Sequence, residues 1–230
     1  MVRLGYRLCV LGFVLVACVV NPSYFDAVRE PRFFGGAVWL YLVWGVFLLE
    51  MFSLLFPQSL HSTGSRKQYR ALYKCADDGY DREKLRAFVR QSNASAWGAA
   101  LVWLLANGVV AALYLTGRMA AHWLFFVCAV YYVADLVCVL FWCPFQSLIM
   151  KNRCCVSCRI YNWDWFMICT PLLLIPGFFT WSLCGVALFL LVRWEVAVKR
   201  HPEYFWPGSN ARLRCINCTD KMCRLKKPLI

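Results

Sequence analysis

Apolar residues dominate this chain in long runs, and charged residues gather in a few segments between them. A helix needs about 20 apolar residues to cross the hydrocarbon core of a bilayer. Four such runs are plain: Leu4–Val20, Gly36–Phe56, Trp97–Thr116 and Ala121–Trp142. A fifth apolar stretch, Tyr161–Trp194, is too long for one ordinary span. Pro176-Gly177 inside it is a strong turn signal and divides it into helices over Arg159–Ile175 and Phe178–Val198. Thr170-Pro171 is a kink signal in the first of these. The pattern predicts an all-α fold, a polytopic membrane helix bundle of six transmembrane helices.

Composition agrees. The chain is 61% hydrophobic and 16% charged, where a soluble domain carries about a quarter charged residues. A charge at the bilayer centre costs about 2.5–3.5 kcal/mol on insertion scales, so charge is kept to the loops. The net charge of +13 invites a nucleic-acid reading. No nucleic-acid motif accompanies it, and basic loops follow from the orientation rule and from anionic headgroups; nucleic acid is therefore not an expected partner. Six helices with both termini cytoplasmic place 22 of the 25 Lys and Arg inside and 3 outside, whereas five helices would leave 13 and 12. The positive-inside rule selects six. Trp97, Trp142, Trp163, Trp165, Trp181 and Trp194 fall near span ends, as interfacial aromatic belts do. The expected location is a plasma membrane, bacterial by its motifs. Leu15-Val16-Ala17-Cys18 also has the form of a bacterial lipoprotein cleavage box, so a lipid on Cys18 and an uncleaved helix both stay open.

On this topology residues 1–198 make the transmembrane domain and residues 199–230 a basic cytoplasmic tail that cannot bury a core alone. The cytoplasmic loop 57–96 reads as a short helical hairpin, Ser65–Ala76 and Asp81–Gln91 about an Asp77-Asp78-Gly79 turn. It either lies on the inner membrane surface with its basic residues on lipid headgroups or is a solvated connection.

Cysteine spacing adds chemistry. Of 14 cysteines, Cys9, Cys18, Cys128, Cys138, Cys169 and Cys184 lie in spans and read as small hydrophobes. The other eight are Cys75, Cys143, Cys154, Cys155, Cys158, Cys215, Cys218 and Cys223. The six-span topology puts all eight on the cytoplasmic side, in the loop 143–160, the tail and the loop 57–96. Cys155-Val156-Ser157-Cys158 and Cys215-Ile216-Asn217-Cys218 are two C-x2-C turns. Each presents two thiolates to one metal, and two turns complete a four-sulfur site. The 56 residues between the turns contain a helical hairpin that returns the chain to the same face. A small cytoplasmic cysteine-rich cap follows, with Cys155, Cys158, Cys215 and Cys218 as expected ligands and Cys143, Cys154 and Cys223 in reserve. A reducing cytosol disfavours stable disulfides, and a redox dithiol needs only two of these thiols. His61, His122 and His201 all lie far from the C-x2-C turns. An all-thiolate site suits Zn²⁺ or an iron–sulfur cluster, and the surplus cysteines favour iron–sulfur.

Trp142-Cys143-Pro144-Phe145 after a membrane helix, and Arg214-Cys215-Ile216-Asn217-Cys218, resemble segments of membrane-bound 4Fe-4S ferredoxin-type subunits of nitrate and nitrous-oxide reduction systems. In that family a second Cys precedes the membrane motif by four positions, where this chain has Val139. Lys221 stands at the third position of the ferredoxin run, followed by Cys223. The resemblance implies four-iron clusters and electron transport from the quinone pool to a redox partner protein.

Glu50 and Asp135 lie inside spans, about 9 Å and 12 Å from their cytoplasmic helix ends at 1.5 Å per residue. Intramembrane carboxylates default to function: they carry protons or face a quinone, or they pair with bundle side chains, with Asn107, Tyr131 and Tyr132 as candidates. The expectation is an integral membrane protein that holds a thiolate-ligated metal centre for electron transfer. The alternative is a non-enzymatic transporter or assembly factor with a structural zinc site. Whether the chain is an enzyme stays open.

Overall fold

The computed structural model describes residues 2–28, 38–56, 65–76, 79–152 and 154–217. Every regular element among them is helical. The α-helices are α1 (Val2–Val20), α2 (Val38–Ser53), α3 (Arg82–Leu115), α4 (Ala121–Leu140), α5 (Asp164–Cys169) and α6 (Phe178–Arg200). Of these, α1, α3, α4 and α6 are long and apolar enough to cross a membrane, and the apolar stretch of α2 is shorter. On α3 the side chains of Leu101, Leu104, Leu105 and Val109 are exposed. In water they would form a large apolar patch; against lipid tails they are solvated.

Two of the expected elements differ in extent. The segment 81–91 does not form one arm of a separate hairpin. It is the first part of α3, which continues without a break to Leu115. Asp81 starts it: its Oδ1 accepts from Glu83 N at 2.8 Å and Lys84 N at 3.4 Å. The other arm of the hairpin is two short 3-10 turns, Ser65–Gln68 and Arg70–Leu72, and Asp77 and Asp78 lie outside the described residues. The region 159–175 is not one continuous α-helix. It is a 3-10 turn at Tyr161–Trp163, then the six residues of α5, then 3-10 helix over Thr170–Leu174. Pro171 has no N–H for the next α-helical bond, and Thr170 Oγ1 donates to Phe166 O at 2.8 Å.

The chain turns between Ile175 and Gly177, at the Pro-Gly dipeptide. Thr180 Oγ1 donates to Ile175 O at 2.7 Å and Gly177 O at 3.0 Å, which satisfies carbonyls left open by the turn. At the end of α3 the chain reverses through Gly117, whose φ of 71° suits glycine. Gly117 N donates to Tyr114 O and Met119 N to Leu113 O, both at 3.0 Å, closing the last helical carbonyls.

The chain divides into two compact units. The first comprises residues 1–51, 103–137 and 164–189. Its core holds Met51, Leu124, Tyr132, Ile168, Ile175 and Phe179. Cys18 lies inside α1, buried with Ala17 and Phe25, and its thiol donates to His122 O at 3.3 Å.

The second unit comprises residues 52–102, 138–163 and 190–230. Little of its loop backbone is regular, and buried amides supply the partners that irregular backbone requires. Gln68, 3% exposed, donates from Nε2 to Val156 O and accepts from Asn162 Nδ2 at 2.7 Å. Asn210, fully buried, donates to Lys67 O at 2.9 Å and Tyr204 O at 2.8 Å and accepts from Arg212 N at 3.1 Å. Backbone bonds from Ala76 N to Ser209 O and from Ala211 N to Lys74 O complete this contact. Tyr69, Trp194, Val198 and Phe205 form an apolar cluster. Arg159 makes a two-pronged ion pair with Glu195, and Trp163 Nε1 donates to the same carboxylate at 2.6 Å.

Two outcomes follow. Asn210→Ala leaves the Lys67 and Tyr204 carbonyls without that donor, and thermal unfolding in detergent should show a loss of about 1–3 kcal/mol. The amide bonds of Glu83 and Lys84 hold the Asp81 carboxyl below its ordinary range. Its cap is therefore complete above the unfolded value of about 3.9 and fades as pH falls through the lower folded value. Hydrogen exchange in the first turn of α3 should rise in Asp81→Ala at pH 7, and much less in Asp81→Asn.

Candidate functional site

The cysteine-rich loop follows α4 in the second unit. A five-residue π-helix, Phe145–Ile149, starts after Cys143-Pro144. Gln146, 3% exposed, organises the loop. Its backbone N–H points to Cys143 Sγ at 3.4 Å, its Nε2 donates to Asn152 O at 2.8 Å, and its Oε1 accepts from the Cys155 thiol at 2.7 Å. Cys143 and Cys155 thus lie on either side of one glutamine. The Cys155–Cys158 turn is closed by Cys158 N to Cys155 O at 2.9 Å. Cys158 is buried with Ala96, Ala99 and Ile160. Cys154 is half-buried, and its carbonyl accepts from Ser157 Oγ at 3.2 Å.

The second C-x2-C turn is reached only at its start. Cys215 opens a 3-10 turn, Cys215–Asn217, with Asn217 Nδ2 donating to Ala211 O at 3.0 Å. The side chain of Cys215 and all of Cys218 and Cys223 lie outside the described residues. Among the described residues no three His, Cys, Asp or Glu side chains gather as a metal would require. Cys75, exposed, is in the bridge to Asn210. Burial, and after it the hydrogen bond to Cys75, push the Tyr73 phenol above its ordinary range.

The segment 67–76 touches both cysteine regions. Gln68 bonds Val156, inside the first C-x2-C turn, and Lys67, Lys74 and Ala76 bond the chain at 209–211, four residues before Cys215. Gln68, Gln146 and Asn210 were not singled out by sequence. Their partners stand 88, 9 and 143 positions away, and a single amide in a polar loop carries no periodic signal.

A second group of polar residues lies in the first unit, among apolar helices. Arg7 of α1 forms an ion pair with Asp135 of α4, NH1 to Oδ2 at 2.7 Å. The same NH1 donates to Tyr132 O at 2.6 Å, and the guanidinium lies 4.0 Å above the Tyr132 ring. The Tyr132 hydroxyl donates to the Glu50 carboxylate at 3.0 and 3.2 Å. Of the three residues expected to partner the carboxylates, Tyr132 does so. Asn107 instead donates to Trp103 O at 3.0 Å, and Tyr131 packs on the Trp103 ring at 4.5 Å. The charge count in the sequence places Arg7 among the cytoplasmic basic residues; the structure puts it within α1, and the signal available was its position inside an apolar run. Asp164, at the start of α5, lies within electrostatic reach of Arg7 and Asp135. A cavity of about 110 Å³ adjoins this group, lined by Trp44, Phe47, Phe125, Tyr132 and Phe179.

Comparison with protein-family models, curated proteins and solved structures finds no match to this chain.

Removing one member of the ion pair leaves the other desolvated. Breaking a fully buried pair costs about 3–5 kcal/mol. Asp135 keeps 24% of its side chain exposed, so Arg7→Met should cost about 3 kcal/mol in reversible unfolding. Adding Asp135→Leu to that variant should restore most of the loss; no restoration would show that the pair itself is not the cause.

Proposed function

We propose that this chain is a six-span membrane protein, both ends cytoplasmic, whose cysteine-rich side holds a thiolate-ligated iron–sulfur centre for electron transfer. The observation that carries the reading is the segment 67–76, which is bonded to the Cys155–Cys158 turn through Gln68 and to the chain before Cys215 through Lys67, Lys74 and Ala76. Two C-x2-C segments anchored on one short segment are the arrangement that a shared four-sulfur site needs. Within the described residues the thiols of Cys143, Cys154, Cys155 and Cys158 do not form a site by themselves. The reading requires Cys215 and Cys218, with Cys223 in reserve.

The six-span topology is supported by the apolar helices α1, α2, α3, α4 and α6 and by the charge asymmetry of 22 Lys and Arg against 3. The remaining span is the segment around α5. Its three helical pieces run from Tyr161 to Leu174. Laid end to end, at about 2.0 Å per 3-10 residue and 1.5 Å per α residue, they amount to about 25 Å, close to the roughly 30 Å hydrocarbon core.

A bound cluster would supply one-electron redox chemistry. The chain's own contribution would be to position the cysteines and to exclude water: Gln146 accepts from the Cys155 thiol before any metal binds, and the packing on Ala96 and Ala99 shields Cys158. The test is anaerobic purification of the full chain with iron, sulfide and zinc analysis and a visible spectrum. Iron with matching sulfide and broad absorbance supports the reading, and Cys155→Ala combined with Cys218→Ala should then lose nearly all the metal. A colourless protein with zinc and no iron would replace electron transfer with a structural zinc site. Full metal content in the double variant would sink the pairing of the two turns.

A further inference from the structure

The cavity beside Tyr132 lies wholly in the first unit and has no part in a metal centre of the second. Helices α1, α2, α4 and α6 wall it, with Phe25 and Leu172 added from connecting segments. Along α4 the lining residues are Phe125, Cys128, Ala129 and Tyr132. Steps of three and four put them on one face over two turns, about 10 Å at 1.5 Å per residue. The space therefore extends along α4. Its back, formed by Ala129, Leu172, Phe179, Thr180 and Leu183, is buried. Val43 of α2 also lines it, is 41% exposed, and marks its mouth.

The wall offers a polar ligand little. Trp44, Tyr132 and Thr180 carry its side-chain N–H and O–H groups, and each is already spent. Trp44 Nε1 donates to Ser182 Oγ at 2.9 Å, the Tyr132 hydroxyl to Glu50 at 3.0 Å, and Thr180 Oγ1 to Ile175 O at 2.7 Å. The other lining side chains are hydrocarbon, apart from the Cys128 thiol, which packs as a small hydrophobe. A buried water needs several polar partners, so a space of this kind stays dry. Left empty, it would forfeit the dispersion contacts of its lining. The occupant that suits it is hydrocarbon.

Size and direction narrow the class. At about 110 Å³ the cavity is smaller than the roughly 150 Å³ apolar cavity that admits benzene. A fused ring system does not fit, whereas a thin unbranched chain entering end-on does. A bilayer presents such chains to the exposed Val43. They run parallel to spanning helices, which is the direction in which the cavity extends.

We propose that this cavity binds one acyl chain of a bilayer phospholipid, which enters past Val43 and lies along the Phe125–Tyr132 face of α4. The proposal rests on the membrane-spanning part of the reading above and not on the metal centre.

The test uses the full chain in lipid nanodiscs that contain a phosphatidylcholine with a diazirine midway along one acyl chain. After illumination, peptide mapping by mass spectrometry locates the labelled residues. Label is expected on Ala129, Leu172 or Leu183, because lipid outside the cavity does not reach these buried side chains. Label on the exposed Leu104, Leu105 and Val109 of α3 reports ordinary lipid contact. Val43→Trp blocks the mouth and Ala129→Leu fills the back. Each should cut the label on the remaining wall residues several-fold and leave the α3 label unchanged. Val46→Trp, on the same helix and similarly exposed but outside the lining, should change neither. Label on α3 with none on the wall overturns the acyl-chain site alone, and no label on α3 overturns the spanning helices with it. Wall label undiminished in the folded Val43→Trp and Ala129→Leu variants also overturns the site. So does wall label obtained only from a diazirine-bearing isoprenoid, which would make the occupant a branched chain. The wild-type map decides even where a variant fails to fold.

Discussion

A bilayer offers no water to hydrogen-bond a polar group, so each such group among apolar helices needs a partner from the chain. That constraint is visible at several polar positions within the apolar runs of this protein. Arg7 and Asp135 pair, Tyr132 serves Glu50, and Trp44 Nε1 donates to Ser182 Oγ at 2.9 Å. Thr116, Thr170 and Thr180 return their hydroxyls to backbone carbonyls at helix ends or breaks. The chain leaves α-helical geometry near Pro171 and Pro176, and hydroxyls close to those breaks satisfy carbonyls there.

The second unit answers the same requirement differently. Its loops have little regular backbone, and three buried amides, Gln68, Gln146 and Asn210, take over the role that helical bonds perform elsewhere. The consequence reaches function. Gln68 and Asn210, which satisfy the backbone, also hold the cysteine loop and the start of the tail on one segment, so a structural need and a candidate metal site draw on the same residues.

Apolar run length located the helices well because spanning is a property of consecutive residues. α1 and α4 lie close to their sequence limits, and the turn falls at Pro176-Gly177 as its residue types indicate. Limits set by polarity were less reliable. The amphipathic stretch 81–91 reads as a separate surface arm because its apolar residues recur on one face, yet nothing in it breaks a helix, and it joins α3. Around α5 the opposite holds: hydropathy is continuous, and Pro171 stops the α-helix that hydropathy alone would draw.

Hydropathy along the chain was therefore enough to indicate an all-helical chain with several helices long and apolar enough to cross a membrane, and to mark Glu50 and Asp135 as polar residues in apolar runs that require an explanation. Cysteine spacing singled out the two C-x2-C turns, since such spacing is local. The choice of partners was decided only in three dimensions. Arg7 meets Asp135 across 128 positions, Tyr132 meets Glu50 across 82, and Asn210 meets Lys67 across 143. Pairing over such distances leaves no period and no composition signal. It depends on which helix faces the packing turns toward each other.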